Sequence, residues 1–108
     1  MAVTIVRYRT RPERADENQA LIEQVFAELR ATAPAGLRYA SFRLADGESF
    51  VHVADVDPAA DGNPLTDTAA FQAFVRDIAD RCVGGPEASA ATLVGEYGFA
   101  PDRDAARG

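Results

Sequence analysis

Lysine and tryptophan are missing from this 108-residue chain, and cysteine and histidine occur once each. The single cysteine, Cys82, excludes an internal disulfide and any cysteine-based metal cage. Near the end of an apolar helical stripe it reads as a small core residue rather than a nucleophile. All eleven basic residues are arginines, and seventeen acids leave a net charge of −6. That balance repels nucleic-acid phosphates and anionic lipid, so neither nucleic acid nor membrane is an expected partner. No stretch approaches the roughly twenty apolar residues of a membrane helix. Met1-Ala2-Val3-Thr4-Ile5 has neither the basic region nor the apolar run of a signal peptide, and the cytoplasm is the expected location.

Familiar catalytic signatures are lacking too. No Gly-rich loop precedes a helix to cradle phosphate, and Gly84-Gly85 follows one instead. No Ser/His/Asp set and no Cys/His cluster occurs. Asp55, Asp57 and Asp61 with Gly62-Asn63 have a calcium-loop look, but their intervals miss a twelve-residue EF loop and no glutamate closes it; no metal is expected. An RNA-recognition sheet needs exposed aromatic and basic residues, and Phe50-Val51-His52-Val53 offers one aromatic ring and no cation. Arg11-Pro12-Glu13-Arg14 has arginines without the glycines of an anion cradle.

What is present is a regular rhythm of elements. Hydrophobic residues make up 47% of the chain and charged residues 26%, an ordinary globular balance. A chain this long forms one domain and buries about two thirds of its unfolded surface. Val3 to Arg9 is β-branched and aromatic, and Pro12 ends it as a strand. From Asp16 to Ala33, Leu21, Ile22, Val25, Phe26 and Leu29 mark one apolar helical face. Glu13, Asp16 and Glu17 place negative charge at its start, and Pro34-Ala35-Gly36 stops it.

Leu37 to Leu44 and Phe50 to Asp55 read as a hairpin turned at Asp46-Gly47, which supply positive φ. Pairing then sets Phe42 opposite Val51, Ala40 opposite Val53 and Ser41 opposite His52. One face carries Ala40, Phe42, Leu44, Val51 and Val53; the other carries Tyr39, Ser41, Arg43, Phe50, His52 and Ala54. If Ala40, Phe42, Val51 and Val53 face the helices, the opposite face still carries Tyr39, Phe50 and Ala54 with Ile5 or Val6 beside them. A second copy would cover that surface. Asp57 to Pro64 is a surface loop. A second helix spans about Asp67 to Cys82 with Phe71, Phe74, Val75 and Ile78 on its stripe, and Thr66, Asp67 and Thr68 compete as its cap. Phe26 and Phe74 are expected in the core. Ala91 to Phe99 closes the sheet. Residues 1–100 form the domain, and 101–108 a charged, disordered tail.

The order βαββαβ predicts an α+β ferredoxin-like sandwich, a four-stranded antiparallel sheet with two helices on one face. The chain resembles the dimeric α/β-barrel proteins, and especially the antibiotic-biosynthesis-monooxygenase-like family. Gly36-Leu37-Arg38-Tyr39, Asp46-Gly47, Phe50-Val51-His52-Val53-Ala54-Asp55-Val56-Asp57 and Phe71-Gln72-Ala73-Phe74 carry the resemblance. It implies a homodimer closed by packing open sheet faces, and a small apolar or aromatic ligand held between helices and sheet. Where such proteins often carry Glu and Trp on the third strand, this chain has Ala54 and Val56. Without tryptophan the haem-degrading arrangement is missing as well, and no cofactor is expected.

His52 is the candidate catalytic residue, since imidazole titrates near neutral pH and reaches a ligand hydroxyl. Its structural alternative is to fill the dimer face, bonded to Ser41 or water. With Ser41 opposite rather than a carboxylate, the neutral form is expected. Tyr39, Ser41, Arg43, His52 and Tyr97 are the candidate ligand-binding residues. Tyrosines, Tyr8 included, suit a pocket or an interface, and the arginines bind carboxylate or phenolate, or pair with the chain's own acids. Two functions follow: a dimeric ligand binder with monooxygenase-like chemistry free of cofactor, or a non-catalytic structural or regulatory dimer.

Overall fold

The computed structural model describes residues 3–60 and 62–98. Strand β1 (Val3–Arg9) leads through a 3-10 turn at Pro12–Arg14 into α1 (Ala15–Thr32). The hairpin β2 (Leu37–Arg43) and β3 (Ser49–Val56) follows, then α2 (Ala69–Arg76), α3 (Ile78–Arg81) and β4 (Glu87–Ala91). The strands lie in the order β2-β3-β1-β4, every neighbouring pair antiparallel. The helices cover one face, giving the expected ferredoxin-like α+β sandwich. Among the described residues no helix is long and apolar enough to cross a membrane.

The hairpin has the register its sequence predicts, with Phe42 opposite Val51, Ser41 opposite His52 and Ala40 opposite Val53. Its turn is held by Asp46, whose carboxylate accepts from the Ser49 hydroxyl and from the amides of Glu48 and Ser49. These bonds hold its pKa down at about 2. Only Gly47 takes a positive φ, of 78°; Asp46 does not.

Of the two sheet faces, it is the one of Tyr39, Phe50 and Ala54 that meets the helices. Tyr39, Phe50, His52 and Ala54 lie under the helices with Val6 and Tyr8, while Phe42 is exposed on the open face. The reason is packing volume and polar satisfaction together. Phe26 stacks on Tyr39 at 5.0 Å, and Phe74 tilts against His52 at 5.4 Å. The smaller Ala40, Val51 and Val53 offer no such ring contacts. Buried Tyr8, Ile22, Val25, Phe50, Leu65 and Phe74 form the core, each side chain contributing about 1.5–3 kcal/mol by leaving water. Phe26 is only half-buried and packs against this core from its margin.

Two boundaries also differ. The second helix is not continuous: the backbone at Asp77 (φ −120°, ψ 28°) leaves helical geometry and splits it into α2 and α3. The break turns the chain so that the Arg11 amide reaches the Arg81 carbonyl and the Val83 amide the Arg9 carbonyl, both at 2.8 Å. The closing strand is Glu87–Ala91, pairing with Val3–Arg7, rather than the stretch that begins at Ala91. Thr68 caps α2, its hydroxyl accepting from Phe71 N–H at 3.1 Å. The Glu28 carboxylate on α1 accepts from the Ala69 and Ala70 amides, satisfying donors that a helix start leaves open. Asp61, Phe99 and the tail 101–108 lie outside the described residues.

Candidate functional site

His52 is on β3, inside the sheet, directly opposite Val6 of β1 and Ser41 of β2. Tyr8 and Tyr39 are its diagonal neighbours on the two flanking strands, within reach of aromatic side chains. The Tyr8 hydroxyl lies 2.7 Å from His52 Nε2. The Tyr39 hydroxyl and Ser41 Oγ lie 2.7 and 2.8 Å from Nδ1. The Tyr8 and Tyr39 rings each lie nearly parallel to that of His52, at interplanar angles of 16° and 15°.

The network continues into the helices. Asn18, on the buried stripe of α1 with Ala15, Ile22 and Val25, donates from Nδ2 to the Tyr8 hydroxyl at 2.9 Å. Arg81, at the end of α3, donates from Nε to Asn18 Oδ1 at 3.0 Å and from Nη2 to the Phe74 carbonyl. Its guanidinium lies over the Phe74 ring at 5.3 Å. Asn18, Arg81 and His52 are 0%, 1% and 5% exposed. Burial sets their chemistry. It pushes the His52 pKa down to about 4, so the ring is neutral. It pushes the hydroxyls of Tyr8 and Tyr39 up, against the downward pull of Asn18 on the one and Ser41 on the other.

Beside this chain of side chains lies a cavity of about 460 Å³ between the sheet and α2–α3. Val6, Ala54, Leu65, Phe71, Phe74 and Ile78 give it apolar walls, and Tyr8, Tyr39 and His52 supply polar groups. Half-buried hydrophobic walls with a few convergent polar groups are the usual make-up of a small-molecule site.

Of the residues expected to meet a ligand, Tyr39, Ser41 and His52 come together. Arg43 shares their face but not their place. Its guanidinium reaches Asp16, Gln19 and the Gly47 carbonyl, and lies over the Phe50 ring. Tyr97 is fully exposed beyond the end of β4. Asn18 and Arg81 are the residues the sequence reading missed. The one available signal was a polar residue at position 18 on the same helical stripe as Ile22 and Val25. Nothing local marked Arg81.

Solved structures match this architecture over most of the chain. An antibiotic biosynthesis monooxygenase superposes with a TM-score of 0.66 at 17% identity, covering 88% of this chain and 100% of that one. The fold is that of the antibiotic biosynthesis monooxygenases. PA3566 of Pseudomonas aeruginosa superposes with a TM-score of 0.68 at 18% identity, covering 87% of this chain and 94% of that one. A variant of SnoaB, a cofactor-independent oxygenase from Streptomyces nogalater, gives 0.64 at 15% identity over 91% and 97%. At these identities the likeness to the monooxygenases is one of fold. No protein-family model and no curated protein matches the sequence.

Proposed function

We propose that this protein is a homodimer that holds a small apolar or aromatic molecule between its sheet and α2–α3. The observation that carries the reading is the 460 Å³ cavity where Tyr8, Tyr39 and His52 converge on apolar walls, with Thr4, Asn63 and Thr66 also on its lining. Ala54 lies on its wall, so Ala54→Phe fills it from a sheet position that keeps its backbone bonds. Calorimetric titration with planar hydrocarbons such as indane should show binding to the native protein and none to Ala54→Phe. A native protein that binds no such compound would remove the reading.

The dimer is supported by what the fold leaves uncovered. Ile5, Ala40, Phe42, Val51 and Val53 share the open sheet face, and beyond β4 Leu93 and Val94 are exposed as well. A contiguous apolar surface of this kind marks a protein contact.

A second reading adds a reaction, since SnoaB is a cofactor-independent oxygenase. Such chemistry here needs a base beside the cavity, and His52 is the candidate. Its pKa of about 4 lies about 6 units below that of an ordinary phenol, so taking a phenolic proton costs about 8 kcal/mol. Both ring nitrogens are also engaged with protein hydroxyls. Binding is therefore the primary function, and turnover requires a substrate far more acidic than phenol. Oxygen uptake with acidic enols, abolished in His52→Gln, would establish the reaction.

A further inference from the structure

We propose that Arg81 and Asn18 fix the direction of every hydrogen bond in the buried network, so that Tyr39 presents a donor and the site selects ligands with an acceptor oxygen, a ketone or quinone carbonyl. The selectivity rests on the cavity being a binding site; the direction of the network does not.

Arg81 is a side chain that can only donate. A guanidinium has five N–H groups and no acceptor, so the Asn18 atom 3.0 Å from Arg81 Nε must be the amide oxygen. The usual ambiguity of amide orientation is thereby removed. The amide nitrogen then faces Tyr8 and donates to its oxygen at 2.9 Å. With that oxygen accepting, the Tyr8 hydrogen is directed to His52 Nε2, 2.7 Å away. Nε2 is thus the unprotonated nitrogen of a neutral ring, and the proton sits on Nδ1. Nδ1–H points at the Tyr39 and Ser41 oxygens. Two hydroxyl hydrogens remain at that end. The Ser41 hydroxyl bonds the Tyr39 oxygen and holds its pKa back, which leaves the hydrogen of Tyr39, the one of the two residues that lines the cavity.

Arg81 is anchored from three sides: by the Phe74 carbonyl, by the Phe74 ring, and by its own carbonyl bonded to the Arg11 amide. The ion pairs among the described residues are Arg9–Glu48, Arg14–Glu17 and Arg43–Asp16, and none supplies Arg81 with a carboxylate. A buried cation with neutral acceptors polarises successive bonds in one sense, and aligned bonds strengthen one another. Asn18 and Arg81 are positioning residues, because neither lines the cavity.

The test uses Asn18→Asp, which keeps the shape of the side chain and pairs it with Arg81. A carboxylate cannot donate, so Tyr8 must donate to it, Nε2–H must donate to Tyr8, and Nδ1 must accept from Tyr39 or Ser41. The whole network reverses. Because the chain has one histidine, its ¹⁵N spectrum reports the tautomer without a ligand. The native protein should show Nδ1–H and Asn18→Asp should show Nε2–H. The ligand pair is 1-indanone and indane, which differ in one carbonyl. The infrared stretch of bound indanone should fall to lower frequency. Its affinity relative to indane should drop about three- to tenfold in Tyr39→Phe, the size of one net hydrogen bond.

An Nε2–H tautomer in the native protein would overturn the proposal. Binding of both compounds without a carbonyl shift would overturn the selectivity alone. Binding of neither would overturn the cavity reading and this selectivity with it.

Discussion

At His52 burial decides both charge and stability. An unfolded histidine titrates near 6.5, whereas the folded ring titrates at about 4. The unfolded chain therefore binds an extra proton between these values, and folding loses stability as pH falls through that window. The contribution is fully present above about pH 6.5 and gone below about pH 4, a total of about 3 kcal/mol. Urea unfolding across this range should show the slope in the native protein and lose it in His52→Gln. Near pH 7 the same variant leaves tyrosine hydroxyls short of partners, and we expect it to lose about 2–3 kcal/mol. Parallel pH profiles for the two proteins would contradict the assigned burial. Half of this site was legible beforehand. Ser41 and Tyr39 follow from hairpin register, and a neutral ring follows from the absence of a facing acid. Asn18 and Arg81 were not legible, because they meet across 63 positions of chain and only through the turn between α2 and α3.

The helices show what periodicity carries and what it omits. The spacing of Phe71, Phe74 and Ile78 marked the inward stripe of the second helical segment, and the Thr68 cap stood among three candidates. Spacing could not show the break at Asp77, which belongs to the tertiary pairing of Arg81 with Arg11 and of Val83 with the end of β1. Phe74 is buried against Tyr8 and His52 rings. Its truncation to alanine should cost about 3–5 kcal/mol, through lost transfer energy and a cavity. Phe26 is half-exposed and its main partner is the Tyr39 ring, so Phe26→Ala should cost about 2 kcal/mol. Chemical denaturation of the pair checks the ranking; an equal loss would mean that Phe26 is covered in solution. Thr68→Ala removes one bond at the start of α2 and should cost about 1 kcal/mol.

At the scale of the molecule the open question was which of two apolar sheet faces meets the helices. Strand alternation makes two faces legible but cannot rank them when both are hydrophobic. The ranking came from residues remote in sequence: the α1 ring that stacks on Tyr39, the α2 ring that tilts against His52, and the Asn18 amide that satisfies Tyr8. What remains outside is a surface of Ile5, Ala40, Phe42, Val51 and Val53, with Phe42 41% exposed although it is a large aromatic. A twofold contact covers such a surface because each copy offers the other the same patch. Sedimentation at micromolar concentration should therefore give a species of about twice the 11.5 kDa chain. Val51 sits centrally on that face, opposite both Phe42 and Arg7, so Val51→Arg sets a pair of like charges across the axis with no carboxylate opposite in the strand pairing. That variant should sediment as a monomer. It should still bind indane, because the cavity lies on the other side of the sheet. Loss of indane binding together with the dimer would mean that the second copy helps to form the site, and a native monomer would leave the apolar face without its proposed occupant.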